Sequence, residues 1–137
     1  MGGECIFCRI VAGDAPATIV EEFATAIVIV PLYPVVEGHL LVIPKAHMSD
    51  AAASPTLTGN MFALASIAAA KRYESFNLIT SRGTPATQSV FHLHVHIVPR
   101  ERGDHLPLPW SHPDTLAKRL AEIDPEERSW TRESRSG

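Results

Sequence analysis

The segment QSVFHLHVHIVPR, residues 88–100, constrains the fold more than any other part of the chain. Within it, His92, His94 and His96 alternate with Leu93 and Val95, and Ile97 follows. A period of two belongs to a β-strand whose two faces meet different surroundings, because residues i, i+2 and i+4 share one face. The pattern predicts a strand over 89–99. Phe91, Leu93, Val95 and Ile97 are expected in the core, and the three imidazoles share the other face, ~6–7 Å apart along the strand. A merely solvated face usually carries Thr, Lys, Glu or Ser. Three histidines and no other polar type therefore point to chemistry. Two kinds fit: imidazoles can bind zinc, or one can attack phosphorus while the others hold negative oxygens. Gln88 and Ser89, placed after a turn containing Gly83, suit a phosphate. His39 opens a second candidate strand.

Partners for this strand follow from the same patterning. TIVEE (18–22) reads as a short strand, and TAIVIV (25–30) and HLLVIP (39–44) as buried strands. PLYPVVEG (31–38) is a two-proline loop between them, and FNLITS (76–81) is a further strand. CIFCRIVA (5–12) predicts one or two helical turns, broken by GDAP (13–16). Residues 55–72 predict the main helix, with Ser54 as N-cap, Pro55 as first helical residue, and a stripe of Leu57, Met61, Leu64 and Ala68. Its many alanines allow another element to approach closely. PDTLAKRLAEI (113–123) predicts a C-terminal helix. Short connections and few helices between strands favour an α+β fold, an antiparallel sheet of about five strands with one main and one C-terminal helix. The expected division is one domain over 1–124 and a charged, flexible tail over 125–137 in which Trp130 is the one large apolar residue.

Bulk composition excludes several functions. The chain has 137 residues and a net charge of −3, so electrostatics give no reason to expect nucleic acid or a membrane surface as partner. No apolar run approaches the ~18 residues of a membrane span. The opening MGGECIFC lacks the order of a signal peptide, and Ile6 breaks the myristoylation pattern. The expected location is the cytoplasm. There, the two cysteines, Cys5 and Cys8, read as a metal half-site, a redox pair or two inert thiols, and not as a structural disulfide.

QSVFHLHVHIVPR fits the motif His-φ-His-φ-His-φ-φ, with φ apolar, and so resembles the histidine triad (HIT) nucleotide-binding family. CIFCRIVAGDAPATIVEE and EGHLLVIPKAH resemble two further blocks of its bacterial, zinc-containing members. The resemblance runs from Cys5 to about Pro99. It implies a HIT-like fold, a homodimer, and hydrolysis or transfer of nucleoside monophosphoryl groups, of the purine class, through a covalent nucleotidyl-histidine.

Residue by residue, the resemblance implies His94 as nucleophile, its second ring nitrogen donating to the main-chain carbonyl of His92. It implies His96 at the phosphate and leaving group, and His39 supporting the nucleophile from the neighbouring strand. Ser89 is the implied phosphate contact, with backbone donors around Thr87 and Gln88. Phe7, Ile10 and Leu32 match apolar positions that sandwich a base, and plain core packing accounts for them equally well. A structural zinc held by Cys5, Cys8, His47 and His92 is implied; its four ligands leave no open position for chemistry. Two departures touch nucleoside recognition: Pro31 stands where many relatives have an Asp for the ribose hydroxyls, and Ser81 where many have Asn or Gln. They motivate a second expectation, a catalytically weak nucleotide-binding or adaptor protein. A third, with His94 and His96 as ligands of a catalytic metal, would leave Gln88, Ser89 and His39 as coincidences.

Overall fold

In the computed structural model, residues 5–111, 118 and 120–122 are described. The chain divides into two compact units, Met1–Glu101 and Arg102–Gly137. The first is a five-stranded antiparallel sheet with an α-helix over each face. In chain order it contains α1 (Ile6–Ala12), β1 (Ile19–Glu22), β2 (Ala26–Ile29), β3 (Leu40–Pro44), α2 (Pro55–Ala70), β4 (Phe76–Ile79), a 3-10 turn (Thr84–Ala86) and β5 (Val95–Pro99). The strand order is β1-β2-β3-β5-β4, so the histidine strand lies inside the sheet, paired with β3 on one side and β4 on the other.

Both helices begin where side chains satisfy their first free N–H groups. Cys5 caps α1, its sulfur accepting from Cys8 N at 3.4 Å. Ser54 caps α2, its hydroxyl accepting from Leu57 N at 3.2 Å, and Pro55 follows at the start of the helix. Gly13, at φ 82°, ends α1 and returns its N–H to the last turn.

Strand alternation sorts the core into two clusters. Ala26, Val28, Leu40, Val42, Leu93, Val95 and Ile97 pack against Met61, Ala65, Ala68 and Ala69 of α2. On the opposite face, Ile27, Ile29, Leu41 and Ile43 pack against Phe7 and Ile10 of α1. Covering both faces explains why every residue of β2 and β3 is buried. The buried centre of α2 is richer in alanine than the predicted stripe, since Leu57 and Leu64 are only partly buried and Ala65 and Ala69 lie fully inside. Small side chains let the helix sit close to the sheet. At its C-terminal end, Lys71 and Arg72 both bond Glu21 of β1, tying the helix to the sheet edge.

The expected strand over 89–99 is shorter in the structure. Only Val95–Pro99 lies in the ladder. Before it, backbone groups bond to loops: Leu93 N–H donates to Met48 O at 2.6 Å, and His94 O accepts from the Thr80 hydroxyl at 2.7 Å. Leu93, Val95 and Ile97 reach the core as expected, whereas Phe91 lies before the extended stretch and is 50% exposed.

In the second unit, Asp104 accepts from Leu106 N at 3.0 Å, and the Ser111 hydroxyl closes a turn on Leu108. Residues 118 and 120–122 are helical; the remainder of the predicted 113–123 helix, and the tail 125–137 with Trp130, lie outside the described residues. Among the described residues no helix is long and apolar enough to cross a membrane.

Candidate active site and metal centre

Cys5 and Cys8 share the first turn of α1, His47 follows β3, and His92 precedes β5. Folding brings all four together, with one possible ligand atom from each lying within 4.8 Å of the others. His92 Nδ1 is 3.4 Å from Cys5 Sγ, 3.5 Å from Cys8 Sγ and 3.1 Å from His47 Nδ1. Cys8 Sγ is 3.3 Å from His47 Nδ1. A tetrahedron with Zn–S of about 2.3 Å and Zn–N of about 2.0–2.1 Å has edges of about 3.3–3.8 Å. Four of the six separations, at 3.1–3.5 Å, lie near those edges, and all six are within 4.8 Å. The tautomer fits too: His92 Nε2–H donates to Pro44 O at 2.8 Å, which leaves Nδ1 with the lone pair that binds metal. Burial and the neighbouring Cys5 sulfur push the Cys8 thiol pKa up, a bias that a bound cation opposes. The Cys2His2 set suits a structural zinc, as expected.

The imidazoles of His94, His96 and His39 lie beside this cluster, and their tautomers are set one by one. His94 Nδ1–H donates to His92 O at 2.7 Å, so His94 Nε2 carries the free lone pair. Val35 N–H donates to His39 Nδ1 at 3.1 Å, so a neutral His39 holds its proton on Nε2. That proton is donated to His96 Nδ1 at 2.9 Å, which leaves the His96 proton on Nε2. The ring centroids of His94 and His96 are 5.1 Å apart. The result is a nucleophilic nitrogen on one ring and an N–H donor on the next.

Burial keeps these rings neutral. It is the main cause lowering the pKa of His39 and of His94, and at His94 the His92 carbonyl partly offsets it. His96 is held at about 4, first by burial and then by His94 and His39. A neutral imidazole retains both the lone pair for attack and the N–H for donation near pH 7.

Several expectations are redrawn by this geometry. His39, which precedes β3, bonds the ring of His96 on the neighbouring strand β5. The expected backbone donors near the phosphate loop are engaged within the turn, Thr87 N with Thr84 O and Gln88 N with Gly83 O. The Gln88 side chain is also consumed: its oxygen accepts from Gly83 N at 2.8 Å, and its nitrogen donates to Ser49 O and Val90 O at 2.8 and 3.1 Å. Gln88 shapes the loop that presents Ser89, and Ser89 is exposed. Ser81, after β4, is partly buried.

Phe7 and Ile10 are core residues, and Phe7 sets its ring at a steep angle to both His92 and His94, at centroid distances of 5.8 and 5.1 Å. It forms a wall beside the His94 ring. Leu32, by contrast, is 85% exposed. Among the described residues the metal-type cluster consists of Cys5, Cys8, His47 and His92 and includes neither His94 nor His96, so the structure gives the catalytic-metal alternative no ligand set of its own. Thr80, Val35 and Pro44 escaped the sequence reading. Their roles come from a hydroxyl and two main-chain groups that meet the histidines only after folding, which no local motif marks.

Comparison with known proteins agrees with this geometry. The HIT domain family model matches residues 12–103. Protein hit of Bacillus subtilis is 37% identical over 137 aligned residues, covering 85% of this chain and 94% of the relative. The adenosine 5'-monophosphoramidase of Schizosaccharomyces pombe is 33% identical, covering 74% of this chain and 77% of the relative. A crystal structure of a zinc-bound histidine triad family protein from Mycobacterium smegmatis superposes with a TM-score of 0.67 at 32% identity, covering 90% of this chain and 100% of that one. Sequence and fold agree: the chain belongs to the HIT domain family.

Proposed function

We propose that this protein hydrolyses or transfers nucleoside monophosphoryl groups, from nucleoside phosphoramidates or dinucleoside polyphosphates of the purine class, through a covalent intermediate on His94. The observation that carries this reading is the 2.7 Å hydrogen bond from His94 Nδ1–H to His92 O, which frees Nε2 for attack. Attack forms the Nε2–P bond. The bond from phosphorus to the leaving group breaks, and the leaving group takes the electron pair and a proton from solvent. The modified ring becomes cationic, and its Nδ1–H stays on the His92 carbonyl, where partial negative charge stabilises it. Water then attacks phosphorus and releases one proton to solvent, the Nε2–P bond breaks, and the lone pair returns to Nε2. A different nucleophile in place of water gives transfer.

His96, neutral with its proton on Nε2, donates a hydrogen bond to a phosphoryl oxygen or the leaving atom. Ser89 adds a hydroxyl at the mouth of the loop. Phe7 excludes water from one side of His94. Zinc, when held by Cys5, Cys8, His47 and His92, supplies no step; those residues anchor α1 and His92 beside the nucleophile.

Turnover of adenosine 5'-phosphoramidate is the direct test. His94→Ala is expected to lower kcat by about three orders of magnitude or more while the fold is kept. Mass spectrometry of acid-sensitive nucleotidyl-protein is expected to find the adduct in wild type alone. Nucleotide binding with neither adduct nor turnover across both substrate classes would instead support the catalytically weak adaptor that Pro31 and Ser81 suggest.

The working assembly is a homodimer joined through α2. Its support is the absence of charge along the helix: Ala63, Ser66, Ile67 and Ala70 are exposed, and Ile67 is 54% accessible in the single chain. The exposed side mixes Ala63, Ile67 and Ala70 with uncharged Thr56, Asn60 and Ser66, and a face without charge suits contact with another chain. The working location is the cytoplasm, where unpaired Cys5 and Cys8 persist as thiols available to zinc.

A further inference from the structure

We propose that Tyr73 is a positioning residue for the reaction: its hydroxyl clamps the loop that sets the proton on His96. The inference rests on the reading of His94 and His96 given above, and it adds a residue well away in sequence from the histidine strand.

Tyr73 follows α2, and its N–H is held by Ala69 O at 2.8 Å. Its ring packs against the α2 side of the core, which fixes the phenol. The hydroxyl donates to Gly38 O at 2.6 Å. Gly38 has φ 92°, and a Cβ there would lie 2.7 Å from the Tyr73 hydroxyl oxygen and 3.3 Å from Pro99 Cγ. The close approach therefore requires glycine on one side and leaves the hydroxyl no slack on the other.

Gly38 is the last residue of a loop whose other positions are mostly exposed. Leu32, Tyr33 and Val35 show 85%, 85% and 58% of their surface. Such a stretch has little packing of its own to hold it. Yet it makes the bond on which the site depends, Val35 N–H to His39 Nδ1. A second bond, His39 N–H to Val36 O at 3.1 Å, closes the turn over Gly38. The chain of contacts is continuous. Tyr73 holds Gly38, the turn presents Val35 to His39, His39 donates to His96, and His96 keeps its proton on the nitrogen aimed at substrate. Without the clamp, His39 can turn its ring or exchange tautomers, and the His96 donor is no longer fixed.

Tyr73→Phe removes only the hydroxyl and keeps the ring in the core. With adenosine 5'-phosphoramidate, kcat is expected to fall about tenfold with KM within about twofold, because the His96 donor acts mainly in the transition state. The structural readout is the ring 15N spectrum of the histidines in zinc-loaded protein. In wild type, His39 is expected as the Nε2–H tautomer. In Tyr73→Phe its signals are expected to move toward a tautomer average while those of His92 stay in place.

Lys71→Ala serves as the control. It loosens the same helix end by breaking a pair with Glu21, and it is expected to leave kcat and the His39 signals unchanged. Wild-type kcat and unchanged His39 signals in Tyr73→Phe would overturn the proposal, as would equal disturbance by Lys71→Ala. A wild type that turns over no substrate would defeat the functional reading instead, and the His39 signals would still decide whether Tyr73 sets the tautomer.

Discussion

Four histidines of one residue type acquire four tasks from what their second nitrogen meets. His92 donates to Pro44 O and leaves Nδ1 for metal, His94 donates to His92 O and leaves Nε2 free, and His39 donates to His96. The cost of this arrangement is sensitivity to acid. The ordinary imidazole pKa is about 6.5, and His96 is held at about 4 in the folded chain. Between those values the unfolded chain binds more protons, so stability is complete above about pH 6.5 and falls as pH drops toward 4. His39, lowered by burial, acts in the same direction. Thermal melts across this window are expected to show a shallower loss of Tm in His96→Asn than in wild type. Parallel slopes would mean that these rings do not carry the acid sensitivity.

Among the elements, the loops carry as much of the site as the strands. Gln88 is 4% exposed and joins the turn at Gly83, the loop at Ser49 and the segment at Val90. Gln88→Leu preserves bulk but leaves Gly83 N–H and Ser49 O without their partner. Each unsatisfied buried group costs about 1–3 kcal/mol. The expected outcome is a denaturation midpoint lowered by a matching amount, measured with urea, together with weaker binding of phosphate-bearing ligands as Ser89 loses its frame. The histidine strand is equally dependent on loops. Its ladder begins only at Val95, because Met48 and Thr80 engage the backbone before it.

At the scale of the whole molecule, zinc and a second copy of the chain would complete what one chain leaves open. The metal centre joins the start of α1, the segment after β3 and the approach to β5, so ligand loss removes a cross-link between distant parts of the chain. Cys5→Ser is expected to reduce zinc per chain, read by metal analysis, and to lower Tm by several degrees. Full zinc occupancy in that variant would show the ligand set to be wrong. For the helix face, Ile67→Glu places a charge in the proposed contact, and sedimentation is expected to shift from dimer to monomer. An unchanged dimer would place the interface elsewhere.

Much of this architecture follows from local pattern. Strand alternation placed Leu93, Val95 and Ile97 in the core and the imidazoles opposite them, and Ser54–Pro55 marked the start of the main helix. The zinc set and the His92–His94 bond followed from the resemblance. Local pattern is blind to contacts made by main-chain groups from remote segments. Nothing in PLYPVVEG indicates that Val35 N–H orients His39, and nothing near Tyr73 indicates that its hydroxyl holds Gly38. The length of the histidine strand, the internal bonding of Gln88 and the pairing of His39 with His96 were decided the same way. Periodicity along the chain determined which side chains face inward. Tertiary structure alone decided which nitrogen of each imidazole keeps its proton, because that depends on donors and acceptors brought together only by folding.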